Sequence, residues 1–283
     1  MGKKKVTAAV YSQEQLADNI YDMWIETELA GEALPGQFLM VYPKCAATLL
    51  PRPISICEAQ RDAGRLRIVY RVAGKGTAEF ASYRKGDSIS IMGTLGNGFP
   101  LEKAAGKRVF LMGGGIGIPP LLGLAQAFAG QGEAALNGEG ADKMKEDARR
   151  GEPAPLSVHA VLGYRDGGLF LKEDFERFAN VVIATEDGSA GSRGNILDAV
   201  KADGLSADVI YACGPMPMLR AVKQYAAKEG IPAYLSLEER MACGVGACLG
   251  CVCRTTHKDG HSLVNNARVC TEGPVFLAED VEI

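Results

Sequence analysis

Short runs of alternating apolar and polar residues fill the first third of the chain. Six of these runs are rich in β-branched and aromatic residues, and they occupy positions 6–11, 20–28, 36–43, 54–60, 65–74 and 87–93. The segments between them contain glycine, proline and charged residues, which are typical of turns between strands. The pattern predicts a small antiparallel barrel or sandwich.

The pattern changes after about residue 106, where apolar runs of strand length alternate with longer amphipathic stretches. Strands are predicted at 107–113, 156–164, 181–186 and 207–214, and helices at 119–130, 171–179, 195–202 and 217–230. Such alternation predicts a parallel, doubly wound sheet with helices on its faces. Residues 132–153 are polar, charged and contain glycine, and they predict a solvated insertion after the first helix.

The chain therefore divides into three predicted parts. Residues 1–103 form the β-barrel, residues 104–232 form the α/β domain with its polar insertion, and residues 233–283 carry a cluster of cysteines. A length of 283 residues suits more than one domain. The predicted fold class is a multidomain β plus α/β protein.

Composition excludes several classes of function. The chain is 47% hydrophobic with a formal net charge of −3, so it offers no basic field for nucleic acid. Its first residues, MGKKKVTAAVYSQEQ, lack the apolar stretch of a signal peptide, and no apolar run has the length of a membrane span. We expect a cytoplasmic protein that does not bind a membrane.

Four of the eight cysteines follow a metal-ligand spacing. Cys243, Cys248 and Cys251 read C-x4-C-x2-C, and Cys270 follows after eighteen intervening residues. This is the spacing of a plant-type [2Fe-2S] site, in which four thiolates hold two irons. The intervening glycines allow the tight loop that such a site requires.

Structural zinc is the alternative for this segment. His257 and His261 could join Cys251 and Cys253 in a zinc site, but C-x-C is shorter than the usual two-residue knuckle. The spacing favours iron and sulfur, and it leaves the histidines exposed in a hairpin loop. By strand alternation Cys253 shares a side with Cys251.

Two further cysteines carry no such pattern. Cys45 and Cys57 lie outside the cluster, in the barrel part of the chain. We expect both to be small buried hydrophobic residues.

Two glycine-bearing segments follow predicted strands in the α/β part. Residues 113–120 read GGGIGIPP between a strand and a helix, and residues 213–218 read CGPMPM after a later strand. Ligands bind at such positions in open α/β sheets, and a helix N-terminus favours a phosphate. The first segment departs from the Rossmann fingerprint, because Ile118 stands where the third glycine belongs.

These segments together carry a family resemblance. Residues 113–120, the C-G-P-x-x-M pattern at 213–218 and RPIS at 52–55 resemble the ferredoxin–NADP reductase superfamily. With the cysteine segment added, the chain resembles the electron-transfer subunits of B-type, NAD-linked dihydroorotate dehydrogenases over nearly its whole length. Only residues 132–153 lie outside the resemblance.

The resemblance implies a set of site residues. It makes 1–103 an FAD-binding barrel, 104–232 an NAD-binding domain and 233–283 a [2Fe-2S] segment, with Arg52 on the pyrophosphate and Ser55 beside the isoalloxazine. The implied FAD contacts are Arg52, Pro53, Ile54, Ser55, Val69, Tyr70, Arg71, Gly76 and Thr77. The implied NAD contacts are Gly114, Gly115, Gly117, Cys213, Gly214 and Pro215, and the cluster ligands are Cys243, Cys248, Cys251 and Cys270.

The resemblance also implies an activity and a partner. It predicts an oxidoreductase subunit of pyrimidine (UMP) biosynthesis that relays electrons from the FMN of a dihydroorotate dehydrogenase catalytic subunit through [2Fe-2S] and FAD to NAD+. It predicts a heterotetramer of two of each subunit, with no catalytic residue for dihydroorotate in this chain. Acidic Glu186 and Asp187 favour NADH over NADPH, and Arg193 favours the opposite.

Two other functions remain open at this point. One is an NAD(P)H-oxidising FAD/[2Fe-2S] reductase subunit of a hydrogenase or a sulfur-reducing complex. The other is a metal-bound regulatory module that keeps the fold without turnover. A purified protein without visible colour would favour the regulatory module.

Overall fold

The computed structural model describes residues 4–136, 153–258 and 263–283. The predicted insertion at 132–153 lies mostly outside these described residues. His261 also lies outside them. The described part contains a closed barrel, a seven-stranded sheet and a two-stranded sheet. This architecture confirms the predicted fold class.

The barrel is formed by the first six strands of the chain. They are β1 (Lys4–Ala17), β2 (Ile20–Glu26), β3 (Phe38–Tyr42), β4 (Arg52–Gln60), β5 (Arg65–Arg71) and β6 (Ser88–Leu95). All neighbours are antiparallel in the order β1-β2-β5-β4-β3-β6, and β6 closes on β1. Strand alternation sends one set of side chains inside, where Met23, Ile25, Leu39, Ile68 and Tyr70 are buried. The short helix α1 (Lys75–Ala81) follows β5.

The seven-stranded sheet forms the second part. Its strands are β7 (Arg108–Gly114), β8 (Ser157–Tyr164), β9 (Asn180–Thr185), β10 (Ser192–Arg193), β11 (Val209–Cys213), β12 (Ala233–Ser236) and β15 (Val275–Leu277). The order is β10-β9-β8-β7-β11-β12-β15, parallel except for the last strand. Chain order runs outward from β7 on one side and from β11 on the other. The switch point of this doubly wound sheet therefore lies between β7 and β11, where ligands bind in such folds.

In the described residues, four helices connect the strands of this sheet. They are α2 (Pro119–Leu136), α3 (Lys172–Glu176), α4 (Ile196–Ala202) and α5 (Met216–Glu229). Asn195 caps α4 by accepting hydrogen bonds from the backbone N–H groups of Leu197 and Asp198. The helix α2 continues to residue 136 and so includes the first residues of the predicted insertion.

The C-terminal segment belongs to two sheets. The hairpin strands β13 (Val252–Arg254) and β14 (Asn266–Arg268) form a sheet of their own next to the cysteines. In contrast, β12 and β15 complete the edge of the large sheet although both lie within residues 233–283. The sheet therefore extends across the domain boundary predicted at residue 232.

The barrel and the sheet pack closely on each other. Gly123 of α2 lies so near β4 that a Cβ there would stand 2.8 Å from the carbonyl oxygen of Cys57. The Tyr211 hydroxyl on β11 donates to the carbonyl oxygen of Pro100 at 2.8 Å. These contacts bring the open ends of β7 and β11 toward the barrel.

Both barrel cysteines were expected to be buried, and the structure confirms this for only one of them. Cys57 is fully buried, as expected. Cys45 is exposed, so the expectation for it was wrong. It lies in the loop between β3 and β4, where its carbonyl accepts from the N–H of Thr48 in a tight turn, and turn residues face solvent.

Membrane-spanning helices were not expected from the sequence. Over residues 4–136, 153–258 and 263–283, no helix combines the length and the apolar character needed to cross a membrane.

Candidate functional site

The barrel opens between β4 and β5 at one end. The ladder that joins these strands runs from Gln60 and Arg65 to Ile56 and Ile68. Beyond that point β4 pairs with β3 instead, and β5 pairs with β2. The predicted FAD contacts at 52–55 and 69–71 are therefore brought to the two sides of one opening.

Arg52 and Gly76 meet at one end of this opening. A Cβ on Gly76 would stand 2.9 Å from Nε of Arg52, so the guanidinium lies against the first turn of α1. Arg52 also donates to the carbonyl oxygen of Leu50 at 2.6 Å. Its guanidinium and the N-terminal end of α1 thus present positive charge to the same region.

Thr77 and Tyr70 have structural partners of their own. The Thr77 hydroxyl accepts from the N–H groups of Ala73 and Gly74 at 2.9 and 3.2 Å, which fixes the start of α1. The Tyr70 ring lies inside the barrel, where its hydroxyl donates to Oε1 of Gln13 at 2.8 Å. Burial raises the pKa of Tyr70. A ligand in the opening therefore meets the backbone of Tyr70 and the side chains of its neighbours, which point outward.

A groove continues from Arg52 along the loop between β3 and β4. Its volume is about 390 Å³, and its lining residues are Ala47, Thr48, Leu49, Leu50, Arg52 and Lys75. Leu49 is 85% exposed, so an apolar surface stands beside two cations. The side chain of Glu79 holds this loop by accepting from the N–H groups of Lys44 and Cys45 at 2.5 and 3.1 Å. Charge and apolar surface together suit an anionic ligand with a flat ring system.

The two glycine segments lie side by side at the ends of β7 and β11. Cys213 pairs with Gly113 in the sheet. A Cβ on Gly117 would stand 2.3 Å from the carbonyl oxygen of Cys213, so only glycine fits there. Gly115 has a φ of 52°, and a Cβ there would meet nothing within 4 Å, so its face is open to a ligand.

Met218 fills the space between the two glycine segments. A Cβ on Gly114 would stand 2.5 Å from its sulfur, and one on Gly214 would stand 2.5 Å from its methyl carbon. The C-G-P-x-x-M pattern contains this methionine, but the predicted contacts omitted it. The sequence pattern alone could therefore have identified Met218 as part of this site.

The loop after β9 lies at the same edge of the sheet. Asp187 accepts from the N–H and the hydroxyl of Ser189 at 2.9 and 2.6 Å, and these hydrogen bonds lower the pKa of its carboxyl. The side chain of Arg193 packs over Gly188, where a Cβ would stand 3.1 Å from its Cδ. Glu186, Asp187 and Arg193 are thus brought into one loop region.

The glycine turn and the barrel opening are neighbours. The turn at 115–117 lies against β5, and Val69 of β5 packs in the same buried cluster as Ile118. Glu238 approaches both sides, since it acts electrostatically on Cys213 and is itself affected by Arg71. The Glu238 side chain is exposed to solvent at this junction. Sequence analysis did not identify Glu238, because only the fold brings it to this junction.

The four clustered cysteines lie in two pairs. The backbone N–H of Cys248 donates to the sulfur of Cys243 at 3.4 Å, and Cys251 lies close enough to Cys270 to help raise the pKa of its thiol, after the larger effect of burial. Within the described ranges, no three His, Cys, Asp or Glu side chains converge as a single-ion site would require. Two pairs of thiols match a two-iron cluster in which each iron takes two thiolates.

Backbone N–H groups surround the first pair. The N–H groups of Val245 and Cys248 each donate to the sulfur of Cys243 at 3.4 Å, and that of Gly250 donates to the sulfur of Cys248 at 3.4 Å. Burial acts to raise the pKa of Cys243, but the N–H groups prevail and lower it to about 6. The loop therefore favours thiolates, which are the form that binds metal.

The second pair is more deeply placed. Cys251 and Cys270 are buried, and burial raises the pKa of Cys270 to about 11. Cys253 is also buried, with a pKa raised to about 11 by burial. His257 lies away from these thiols, with its Nδ1 3.8 Å from a carboxylate oxygen of Asp280.

The cysteine loop packs directly on the barrel. Gly244 has a φ of 69°, and a Cβ there would stand 2.7 Å from Cγ of Met40 and 3.2 Å from Cδ1 of Leu95. Cys251 and Cys270 share a buried cluster with these barrel residues. The close approach depends on the absence of a side chain at Gly244.

Comparison with known proteins gives one family for the cysteine segment. Residues 238–282 match the model of the "iron-sulfur cluster binding domain of dihydroorotate dehydrogenase B". This range contains all four paired cysteines and Glu238.

Solved structures share the fold. A structure of the NADH-dependent reduced ferredoxin-NADP oxidoreductase matches with a TM-score of 0.79 and 26% identity, over 100% of this chain and 91% of that chain. A ferredoxin NADP+ reductase from Neisseria gonorrhoeae with bound FAD and NADP matches with a TM-score of 0.62 and 16% identity, over 80% and 92%. The second similarity shows the fold alone.

Relatives match over the full chain. The dihydroorotate dehydrogenase B (NAD(+)) electron transfer subunit of Bacillus caldolyticus is 41% identical over 285 residues, which covers 99% of this chain and 99% of the relative. The subunit of the same name from Listeria innocua is 39% identical over 97% of each chain. At this identity and coverage, the chain belongs to the family of dihydroorotate dehydrogenase B (NAD(+)) electron transfer subunits.

Proposed function

We propose that this chain relays electrons from the FMN of a dihydroorotate dehydrogenase catalytic subunit, through a [2Fe-2S] cluster and FAD, to NAD+ in pyrimidine (UMP) biosynthesis. The single observation that carries the proposal is the convergence of three sites on the barrel. The glycine turn lies against β5, and the cysteine loop packs on Met40 and Leu95. These contacts support a flavin in the barrel opening that lies between the other two sites.

The order of the sites matches the chemistry of the three cofactors. Nicotinamides exchange electron pairs as hydride, iron–sulfur clusters exchange single electrons, and a flavin does both. The chain's own contribution is to bind these groups, to orient them and to keep them apart from solvent. An electron transfer subunit also requires a separate catalytic partner.

The barrel opening is the FAD site in this proposal. Arg52 binds the pyrophosphate together with the first turn of α1 at Gly76 and Thr77. Pro53, Ile54 and Ser55 on one side, and Val69, Tyr70 and Arg71 on the other, hold the isoalloxazine. The groove beside Lys75 and Leu49 accepts the remaining, adenine end of the molecule.

The end of the sheet is the NAD site. Gly114, Gly115 and Gly117 let the dinucleotide approach the backbone, and Cys213, Gly214 and Pro215 form the opposite wall. Support comes from the switch point between β7 and β11 and from the open face of Gly115. A nicotinamide there faces the barrel opening, because the same turn lies against β5.

The paired cysteines are the cluster ligands. Cys243, Cys248, Cys251 and Cys270 would together hold the [2Fe-2S] cluster and supply its four thiolates. The N–H groups directed at Cys243 and Cys248 stabilise the negative charge of the bound cluster. Cys253 is not a ligand in this proposal.

The exposed part of the cysteine loop is the partner's docking surface. Val245 is 41% exposed and Leu249 is 63% exposed, and Ala247 between them is also exposed. Exposed apolar residues beside a redox centre suit a protein contact that excludes water. We assign an FMN-containing catalytic subunit to this surface, in a heterotetramer of two of each chain.

Purified protein tests the proposal directly. The visible spectrum, FAD analysis and iron and sulfide analysis should give one FAD and one [2Fe-2S] cluster per chain. NADH should bleach the flavin in the isolated chain, whereas dihydroorotate should not. Addition of an FMN-containing dihydroorotate dehydrogenase subunit should produce dihydroorotate-dependent reduction of NAD+.

Three results would contradict the proposal. Stoichiometric zinc in place of iron would contradict the assignment of a [2Fe-2S] cluster. Oxidation of dihydroorotate by the isolated chain would contradict the proposal that this chain only relays electrons. Coupling to a hydrogenase or sulfur-reducing subunit, with none to the dihydroorotate subunit, would assign the chain to a different complex.

A further inference from the structure

The loop that follows β6 is held firmly to the barrel on one side. The side-chain amide of Gln37 donates to the carbonyl oxygen of Gly96 at 2.9 Å, and the N–H of Phe99 donates to the carbonyl oxygen of Pro35 at 2.8 Å. Gly98 lies so close that a Cβ there would stand 2.9 Å from the same Pro35 oxygen. The loop is therefore part of the rigid barrel end.

Asn97 projects from this loop to the C-terminal segment. Its N–H donates to the carbonyl oxygen of Gly273 at 2.8 Å. Its side-chain amide donates to the carbonyl oxygens of Glu272 at 3.1 Å and Val275 at 2.7 Å, and its Oδ1 accepts from the N–H of Val275 at 3.2 Å. One residue thus binds two residues of the turn and the first residue of β15.

The turn held by Asn97 is the one that carries Cys270. The N–H groups of Thr271 and Glu272 both donate to the carbonyl oxygen of Arg268, so the turn is compact around the cysteine. Gly96 packs against it, since a Cβ there would stand 2.4 Å from Cδ of Pro274. Displacement of this turn would therefore displace the ligand.

We propose that Asn97 is a positioning residue that sets the separation between the flavin on the barrel and the cluster at Cys270. This inference rests on the proposed function and adds to it the element that fixes the electron-transfer distance. Gly244 seats the first cysteine pair on Met40 and Leu95, and Asn97 seats the second pair through its turn. The rate of electron transfer falls steeply with distance, so a small shift of the turn is reflected in the rate.

The amide is well suited to this role. The turn presents both carbonyl oxygens and an N–H to Asn97, and an amide provides two donors and an acceptor. An aspartate of the same shape keeps the acceptor but places a carboxylate against the carbonyl oxygens of Glu272 and Val275. Asn97→Asp and Asn97→Ala should therefore loosen the turn in the same way.

Two kinds of measurement test the proposal in the full chain. Hydrogen exchange of the cofactor-free variants should show faster exchange over residues 269–275 and unchanged exchange in β2 and β5. In the loaded variants, stopped-flow mixing with NADH should show normal flavin reduction, followed by cluster reduction slowed about 10-fold or more. Asn180→Ala, an exposed asparagine at the start of β9, is the matched control and should behave as the wild type.

Each outcome decides the inference. Slower cluster reduction with normal flavin reduction supports it, as does faster exchange confined to the turn in a variant that loses its cluster. Unchanged cluster reduction, or unchanged exchange over 269–275, overturns it. If Asn97→Ala fails to fold, Asn97→Asp decides by the same criteria. A wild-type chain without FAD or cluster would contradict the proposed function instead, so the two failures are distinguishable.

Discussion

Gly117 shows how a missing side chain shapes the nucleotide site. The two glycine segments touch at this residue, where a Cβ would stand 2.3 Å from the backbone oxygen of Cys213. Backbone atoms cannot move aside as a flexible side chain can. Any larger residue at 117 must therefore push apart the ends of β7 and β11.

Gly117→Ala is predicted to impair the reaction with NADH. We expect flavin reduction by NADH to slow about 10-fold or more, because the displaced turn misplaces the nicotinamide. Stopped-flow flavin absorbance measures this rate. Gly130→Ala, in open space on α2, is the control and should leave the rate unchanged. Equal rates in both variants would contradict the assigned site.

The cysteines give a second prediction at the residue scale. Replacement of Cys243, Cys248, Cys251 or Cys270 by serine should abolish the cluster, because each replacement removes one of the four thiolate ligands. Cys253→Ser should retain it. Iron, sulfide and visible absorbance are the measurements. A Cys248→Ser protein with full iron content would refute the ligand set.

The spacing of residues along the sequence predicted the cysteine ligands but did not predict residues that reach the sites from distant parts of the chain. The C-x4-C-x2-C run could be recognised because its three cysteines are close in sequence, and the family comparison agrees with the predicted cluster and NAD. Glu238 and Asn97 were not predicted. Their partners lie far along the chain, in the barrel or in the C-terminal turn, and one sequence does not reveal such contacts.

At the scale of elements, a buried ion cluster joins the barrel to the large sheet domain. Arg67 on β5 contacts Asp22 at 2.8 Å, Glu58 at 3.4 Å and Asp174 of α3 at 3.2 Å. Asp22 is 2% exposed, and Arg67 is 10% exposed at its side chain. Three carboxylates from two domains therefore depend on one guanidinium.

Arg67→Met is predicted to destabilise the chain strongly. It leaves the buried Asp22 without its counter-charge, and removal of one partner of a buried pair costs about 3–5 kcal/mol. Denaturant unfolding measures the change in free energy. Arg108→Ala, which removes the solvent-exposed pair with Asp208, is the control and should lower the free energy of unfolding far less than Arg67→Met. Similar losses in the two variants would show that the cluster does not brace the domains.

Periodicity predicted the longer elements and failed for the shortest. The barrel strands and the alternation from β7 to α5, apart from the two-residue strand β10, were predictable from their apolar patterns. In contrast, β12 has four residues and β15 has three, in a segment dominated by cysteine and glycine. Their place in the sheet is set by pairing with β11 and with each other, which a local pattern does not encode.

At the scale of the whole molecule, the nucleotide preference stays a prediction. We expect NADH to reduce the flavin much faster than NADPH, because Glu186 and Asp187 repel a 2′-phosphate while the Arg193 side chain packs over Gly188. Stopped-flow reduction at equal nucleotide concentrations measures it. Glu186→Ala should narrow the difference between the rates of flavin reduction by NADH and NADPH. Glu173→Ala on α3 is the control and should leave that difference unchanged. Faster reduction by NADPH in the wild type would assign Arg193 to the phosphate.

The proposed arrangement of the three sites also indicates where electrons from a partner enter the molecule. In this proposal NAD binds at the sheet edge, and the flavin binds in the barrel opening between the sheet and the cysteine loop. The remaining exposed side of the cluster is the loop surface at Val245, Ala247 and Leu249. We therefore expect a catalytic partner to reach the cluster there, since the second cysteine pair is buried against the barrel.

Ala247→Glu is therefore predicted to uncouple the partner without disabling the chain. A charge at the centre of an apolar docking surface must be desolvated on association, so we expect coupled dihydroorotate-dependent NAD+ reduction to fall about 10-fold or more. Reduction of an artificial acceptor by NADH, which needs no partner, should stay near the wild-type rate. Ala227→Glu places the same change on the exposed face of α5 and should leave both activities intact. Titration with increasing partner should restore the coupled rate of Ala247→Glu, because the defect is one of affinity. Equal loss of both activities would place Ala247 in the internal electron path and remove the docking assignment.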